Sequence, residues 1–121
     1  MIGVGIDLVD VQRFRNVLQR REEISARLFT DNELAYCRSS IDPSERMAAR
    51  FAAKEAVMKA LGVGLGNVRF REIEVTKDSS GRPSLTLHGT AAQLAADTGV
   101  RRWHLSLSHT STVAEALVIA E

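Results

Sequence analysis

The stretch Arg50-Phe51-Ala52-Ala53-Lys54-Glu55-Ala56-Val57-Met58-Lys59-Ala60-Leu61-Gly62 reads as a helix with its own ending. Alanine, lysine, glutamate, methionine and leucine are strong helix formers, and a glycine just past them is the usual left-handed stop. Upstream, Asp42 suits the N-cap and Pro43 the first helical position, so one long helix is expected from there to Leu61. At 100° per residue, Phe51, Met58 and Leu61 fall on or beside its buried side. Glu55 and Lys59 stand one turn apart on a shared stripe, with the small residues Ala48, Ala52 and Gly62 beside them. That leaves room for something to approach the helix closely. Arg50 and Lys54 form a second one-turn pair on another face. By spacing alone, Glu55 and Lys59 read first as an ordinary intrahelical ion pair of about 0.2–0.5 kcal/mol.

The segments on either side complete an α+β pattern. Ile2 to Val9 alternates with the period of a strand: Ile2, Val4, Ile6 and Leu8 on one face, Gly3, Gly5 and Asp7 on the other. The apolar face is expected in the core, with the other face nearly bare backbone leading to one carboxylate. Residues 10 to 22 carry a helical stripe of Val11, Phe14, Val17 and Leu18. Thr30-Asp31-Asn32-Glu33 has the spacing of a capping box and starts another helix. Phe70 to Lys77 and Ser84 to His88 form a hairpin around a turn at Asp78 to Pro83. A short helix from Ala91 to Thr98, stopped by Gly99, precedes two strands at about Trp103 to His109 and Val113 to Ala120. The order β-α-α-α-β-β-α-β-β predicts a mainly antiparallel sheet packed on the long helix and shorter helices. Gly62-Val63-Gly64-Leu65-Gly66 follows a helix instead of joining a strand to one, so it reads as a helix stop and flexible loop and not as a phosphate loop.

Composition bounds the function. The 121 residues suit one domain over 1–121, and a 45% hydrophobic fraction is that of a globular chain. Sixteen basic against fifteen acidic residues give a formal charge of +1, which argues against a general nucleic-acid binder. No apolar run approaches the roughly 20 residues needed to span a bilayer. The one cysteine, Cys37, cannot form an internal disulfide, and no signal peptide is visible, so a cytoplasmic protein is expected. Positive charge is instead local. Arg13, Arg15, Arg20, Arg21 and Arg27 stand in a segment whose only acids are Glu22 and Glu23.

A third segment bears on chemistry. In Leu105-Ser106-Leu107-Ser108-His109-Thr110 strand alternation ends in a histidine and two hydroxyls at a strand-to-loop junction, a favoured place to grip phosphate. Together with Gly5-Ile6-Asp7-Leu8-Val9 and the string from Phe51 to Gly62, this segment resembles the three signatures of the holo-[acyl-carrier-protein] synthase family, in its order and spacing and over essentially the whole chain.

The resemblance implies a 4′-phosphopantetheinyl transferase-like fold and a Mg²⁺-dependent transfer. A serine of an apo-acyl carrier protein would attack the β-phosphate of coenzyme A, with adenosine 3′,5′-bisphosphate leaving, in support of fatty acid biosynthesis. It implies Asp7 and Glu55 as metal ligands and Asp7, Glu55 and Lys59 as the catalytic group, with Lys59 on the pyrophosphate. Glu55 or a water it orients would be the base. Arg50, Lys54, Lys59, Gly62, Arg82, Pro83, Ser108, His109 and Thr110 become candidates for coenzyme A, with Arg50 preferred over Lys54 for the 3′-phosphate or adenine end. Arg13, Arg20, Arg21 and Arg27 become the docking face for an acidic carrier protein. A homotrimer with active sites between adjacent subunits is also implied, one chain giving Asp7, Glu55 and Lys59 and its neighbour the arginine-rich helix or the His109 loop. A binding module without catalysis would share the fold and the arginine face but would not need both carboxylates and Lys59.

Overall fold

Helix and strand boundaries in the structure, a computed structural model, follow the capping signals closely; it describes residues 1–64 and 66–121. Strand β1 (Gly3–Asp10) ends at Asp10, whose side chain accepts the Arg13 N–H and so starts helix α1 (Val11–Arg20). After the short α2 (Glu23–Leu28), Thr30 and Glu33 cap each other's backbone at the head of α3 (Asp31–Arg38). Asp42 accepts from the Ser44 N–H, Pro43 occupies the first turn, and α4 (Pro43–Leu61) runs to Gly62, which is left-handed at φ 72°. A 3₁₀ turn (Phe70–Glu72) leads into β2 (Ile73–Lys77), followed by β3 (Pro83–Leu87), α5 (Gly89–Thr98), β4 (Trp103–His109) and β5 (Val113–Ala120). The reading of Gly62 to Gly66 as a flexible loop includes Leu65, which lies outside the described residues.

The strands form two antiparallel sheets, β1-β5-β4 and the hairpin β2-β3. Helix α4 sits at the centre. Its residues Ala52, Ala56, Val57 and Ala60 pack with Ala116, Val118 and Ala120 of β5, while its first turns, Met47 to Ala49, join Val11, Phe14, Phe29 and Leu34 in a second cluster.

In β1 the two faces are reversed from the sequence reading. A Cβ on Gly3 would stand 1.9 Å from the Ala60 carbonyl oxygen, and one on Gly5 1.8 Å from that of Ala56. The glycine face therefore lies directly on the α4 backbone. Ala56 and Ala60 of α4 make space for this strand; Ala48 and Ala52, read as leaving room for a ligand, are buried in the two core clusters instead. Register puts Val118 opposite Gly5 and Ala116 opposite Asp7, so this is the face of the sheet turned to α4. Val4, Ile6 and Leu8 point away and are 54%, 51% and 64% exposed, beside exposed Leu117 and Val113 of β5. An apolar sheet face is thus left uncovered within one chain.

Candidate active site

Asp7 and Lys59 meet because β1 lies so close to α4. The Lys59 ammonium donates to Asp7 Oδ1 at 3.1 Å and to the Ile6 carbonyl at 2.8 Å. Glu55, one turn earlier on α4, borders the same cleft as Asp7, a space of about 630 Å³ whose other walls include Arg13, Phe14, Val17, Ile24, Phe51 and Phe70. Burial, and then the neighbouring Asp7 charge, push the Glu55 carboxyl above its usual range; Lys59 opposes them. Two carboxylates from separate segments therefore border one largely apolar cleft, and the Lys59 ammonium holds one of them. Among the described residues no group of three or more His, Cys, Asp or Glu side chains is placed to hold a metal, so a cation here needs oxygens from elsewhere.

A second cavity, of about 350 Å³, opens between α4, α3 and the hairpin. Arg46 and Arg50, one turn apart on α4, and Lys77 of β2 all stand on the Tyr36 ring, 4.2, 4.3 and 4.3 Å from its centroid. Pro83 and His109 line the same space. Arg50 is 6% exposed, and its Nε has no hydrogen-bond partner among the described residues. An unpaired buried donor amid three cations suits an anion. Lys77 above all, with Arg46 and Arg50, draws the Tyr36 hydroxyl below its usual value against the effect of burial. Sequence spacing singled out Arg50 but missed its partners. Arg46 was detectable as the i−4 neighbour of Arg50, whereas Tyr36 and Lys77 come from distant elements and carried no local sign.

Lys54 is a correction. It is 0% exposed, and its ammonium donates to Glu33 Oε1 and to the carbonyls of Phe70 and Ile73. All three of its hydrogens are used internally, leaving none for a phosphate. Glu33 in turn accepts the Thr30 and Val75 N–H groups, so this pair fastens α3, α4 and β2 together. Burial lowers the Lys54 value and Glu33 holds it up.

The remaining candidates are dispersed. His109 faces α4, whereas Ser108 lies on the opposite sheet face, across from Glu115 in register. The Thr110 hydroxyl accepts from Thr112 and Val113 N–H groups and closes the β4–β5 turn. Arg82 lines a cavity of about 430 Å³ with Asp78, Trp103 and His104. Gly62 serves as the helix cap with open space where its side chain would be.

Of the arginines, Arg13 borders the acid cleft, Arg20 and Arg21 are exposed, and Arg21 pairs with Glu23 at 3.0 Å. Arg27 shares a depression with Arg69, Phe70 and Arg71, and Phe70 also lines the acid cleft. Arg15 is held by Asp42, tying α1 to the head of α4. His88 pairs with Glu74 at 2.9 Å, and His104 lies on β4 near Glu121. No described helix is long and apolar enough to cross a membrane.

Comparison with known proteins gives a uniform result. A family profile described as the 4′-phosphopantetheinyl transferase superfamily matches residues 3–116. A Moorella thermoacetica protein named holo-[acyl-carrier-protein] synthase is 45% identical over 121 residues, covering 100% of this chain and 94% of that one. The structure of a holo-[acyl-carrier-protein] synthase from Neisseria meningitidis superposes with a TM-score of 0.91 at 33% identity, covering 100% and 99% of the two chains. That of Helicobacter pylori, solved in complex with coenzyme A, superposes at 0.85 and 28% identity over 98% and 99%.

Proposed function

The chain belongs to the 4′-phosphopantetheinyl transferase superfamily, and from that premise we propose that the cleft holding Asp7, Glu55 and Lys59 is where its reaction takes place. The protein is a holo-[acyl-carrier-protein] synthase: it moves the 4′-phosphopantetheine group of coenzyme A to a serine of apo-acyl carrier protein, releasing adenosine 3′,5′-bisphosphate, in support of fatty acid biosynthesis. The observation that carries the assignment to this cleft is that Asp7 and Glu55 both line it while Lys59 reaches Asp7 from the next turn of α4.

The donor set fits Mg²⁺, which takes one or two carboxylates together with phosphate oxygens and retained waters. Asp7 already attracts a cation, the Lys59 ammonium, and the Glu55 charge is disfavoured by burial and by Asp7, so the pair has capacity for more positive charge. Asp7 and Glu55 would hold the ion; when bound, it neutralises the pyrophosphate and polarises the phosphorus under attack. Lys59 stabilises the negative charge that grows on the pyrophosphate oxygens as the bond breaks. Glu55 takes the proton of the serine hydroxyl, directly or through a water.

Arg50, with Arg46 and Lys77, is suited to the 3′-phosphate end of coenzyme A, near His109 and Pro83. Positions 50 and 55 are about 140° apart around α4, so one chain presents its nucleotide-end cations and its catalytic cleft on different sides. That arrangement supports a homotrimer in which a site is completed by a neighbouring chain, as does the uncovered face of Val4, Ile6, Leu8 and Leu117. Arg13, Arg20, Arg21 and Arg27 present the positive surface to the acidic carrier, Arg13 at the cleft itself. This reading takes residues 1–121 as one domain working in the cytoplasm, where a free buried Cys37 is stable.

The experiment is an intact-mass assay. Apo-acyl carrier protein incubated with the protein, coenzyme A and Mg²⁺ gains the mass of one phosphopantetheine group, and a chelator abolishes the gain. Undiminished transfer with metal removed contradicts the role given to Asp7 and Glu55.

A further inference from the structure

We propose that Lys59 stands in for the divalent cation on Asp7 in the free protein and releases it only when a pyrophosphate arrives. This rests on the metal reading above and adds an order of events to it. The Lys59 ammonium is held by two oxygens of β1, Asp7 Oδ1 at 3.1 Å and the Ile6 carbonyl at 2.8 Å. It is a compact point charge gripped by hard oxygen donors, the same kind of donors a small divalent ion selects. The two cations compete for one carboxylate oxygen. The Lys59 side chain is half exposed on a flexible four-carbon stem, whereas the Asp7 side chain is largely covered. The lysine head therefore moves aside without any change in α4 or β1.

Alone, the metal gains little by displacing Lys59, because among the described residues no third carboxylate or imidazole is grouped with Asp7 and Glu55 to complete its shell, and Asp7 is already neutralised. A pyrophosphate changes both sides of that balance. It offers Lys59 a stronger anionic partner, and it offers the metal the oxygens this chain lacks. Metal and coenzyme A then bind together, each raising the affinity of the other through the release of Lys59.

The test uses Mn²⁺ as a spectroscopic substitute, its binding to nucleotide-free protein followed by electron paramagnetic resonance. Lys59→Met, with Lys59→Gln as a second variant in case the first does not fold, is expected to bind Mn²⁺ about tenfold more tightly than the wild type, within the roughly 5–150-fold range of ordinary coupling between sites. Arg13→Gln removes a positive charge from the same cleft without touching Asp7, and is expected to change Mn²⁺ affinity by less than about twofold. Unchanged or weaker binding in the Lys59 variants overturns the proposal, as does an equal gain in Arg13→Gln, which would make the effect one of general charge. Asp7→Asn supplies the distinction from the underlying reading. If it leaves Mn²⁺ binding intact both alone and combined with Lys59→Met, the metal site itself is wrong, and the proposal falls with it.

Discussion

Glu55 owes its raised value first to burial and then to the Asp7 charge, with Lys59 working against both. A carboxyl whose value is higher folded than unfolded favours the folded state fully below the unfolded value of 4.5, and that contribution is lost as pH rises through the folded value. In the metal-free protein the Glu55 carboxyl is therefore expected to titrate above the ordinary glutamate range, and a cation bound between Asp7 and Glu55 would draw it back down. Asp7→Asn removes the repelling charge and should lower the Glu55 midpoint, read by carbon NMR titration of metal-free protein; an unmoved midpoint would contradict the pairing. At Lys54 the expectation concerns stability. Lys54→Met strands the buried Glu33 carboxylate and should cost about 3–5 kcal/mol in denaturant unfolding, with Glu33→Gln added to it recovering part of the loss. Asp7, Glu55 and Lys59 stood out in the sequence only through the family resemblance, since each alone reads as an ordinary turn or helix-pair residue. The internal use of Lys54 was not legible, since its partner lies 21 positions away and carries a local capping signal that already accounted for it.

Among the elements, those that begin or end on a strong local signal stood where the sequence put them. Thr30 and Asp42 open helices by side-chain hydrogen bonds, and Gly62 and Gly99 close them with a left-handed backbone that glycine favours. Helix α2 went unread because its six residues have no side-chain cap and no buried stripe. The inversion of β1 has a different cause. Alternation fixes which residues share a face but not which face meets the core, and here a helix close enough to touch backbone selects the face without side chains. Gly5→Ala is therefore expected to destabilise by about 3 kcal/mol or more, since the added carbon would overlap the Ala56 carbonyl oxygen and neither β1 nor α4 can retreat without unpacking the other. A thermal midpoint within a degree of the wild type would show the strand and helix to be less closely apposed. For α1, Arg13→Glu should raise the KM for carrier protein several-fold while leaving that for coenzyme A nearly unchanged, and the effect should shrink with added salt. Equal changes in both would remove α1 as the docking face.

For the molecule as a whole, the exposed face of Val4, Ile6, Leu8 and Leu117 is the feature one chain leaves unresolved. Contiguous exposed apolar side chains on a sheet mark an interface. A charge at its centre, Ile6→Asp, is expected to convert a trimer to monomers in sedimentation velocity. Because the cations proposed for the 3′-phosphate and the cleft proposed for catalysis lie on different sides of α4, it should depress turnover far more than binding of Mn²⁺. A monomeric wild type would refute the shared site. The central claim, that Asp7 and Glu55 carry out the transfer at this cleft, is tested most directly by single-turnover mass spectrometry of apo-acyl carrier protein with the wild type, Asp7→Ala and Glu55→Ala, each verified as folded. The expected result is complete addition of one phosphopantetheine group by the wild type and a rate at least about 10³-fold lower in either variant. Near-normal transfer by either one would contradict it.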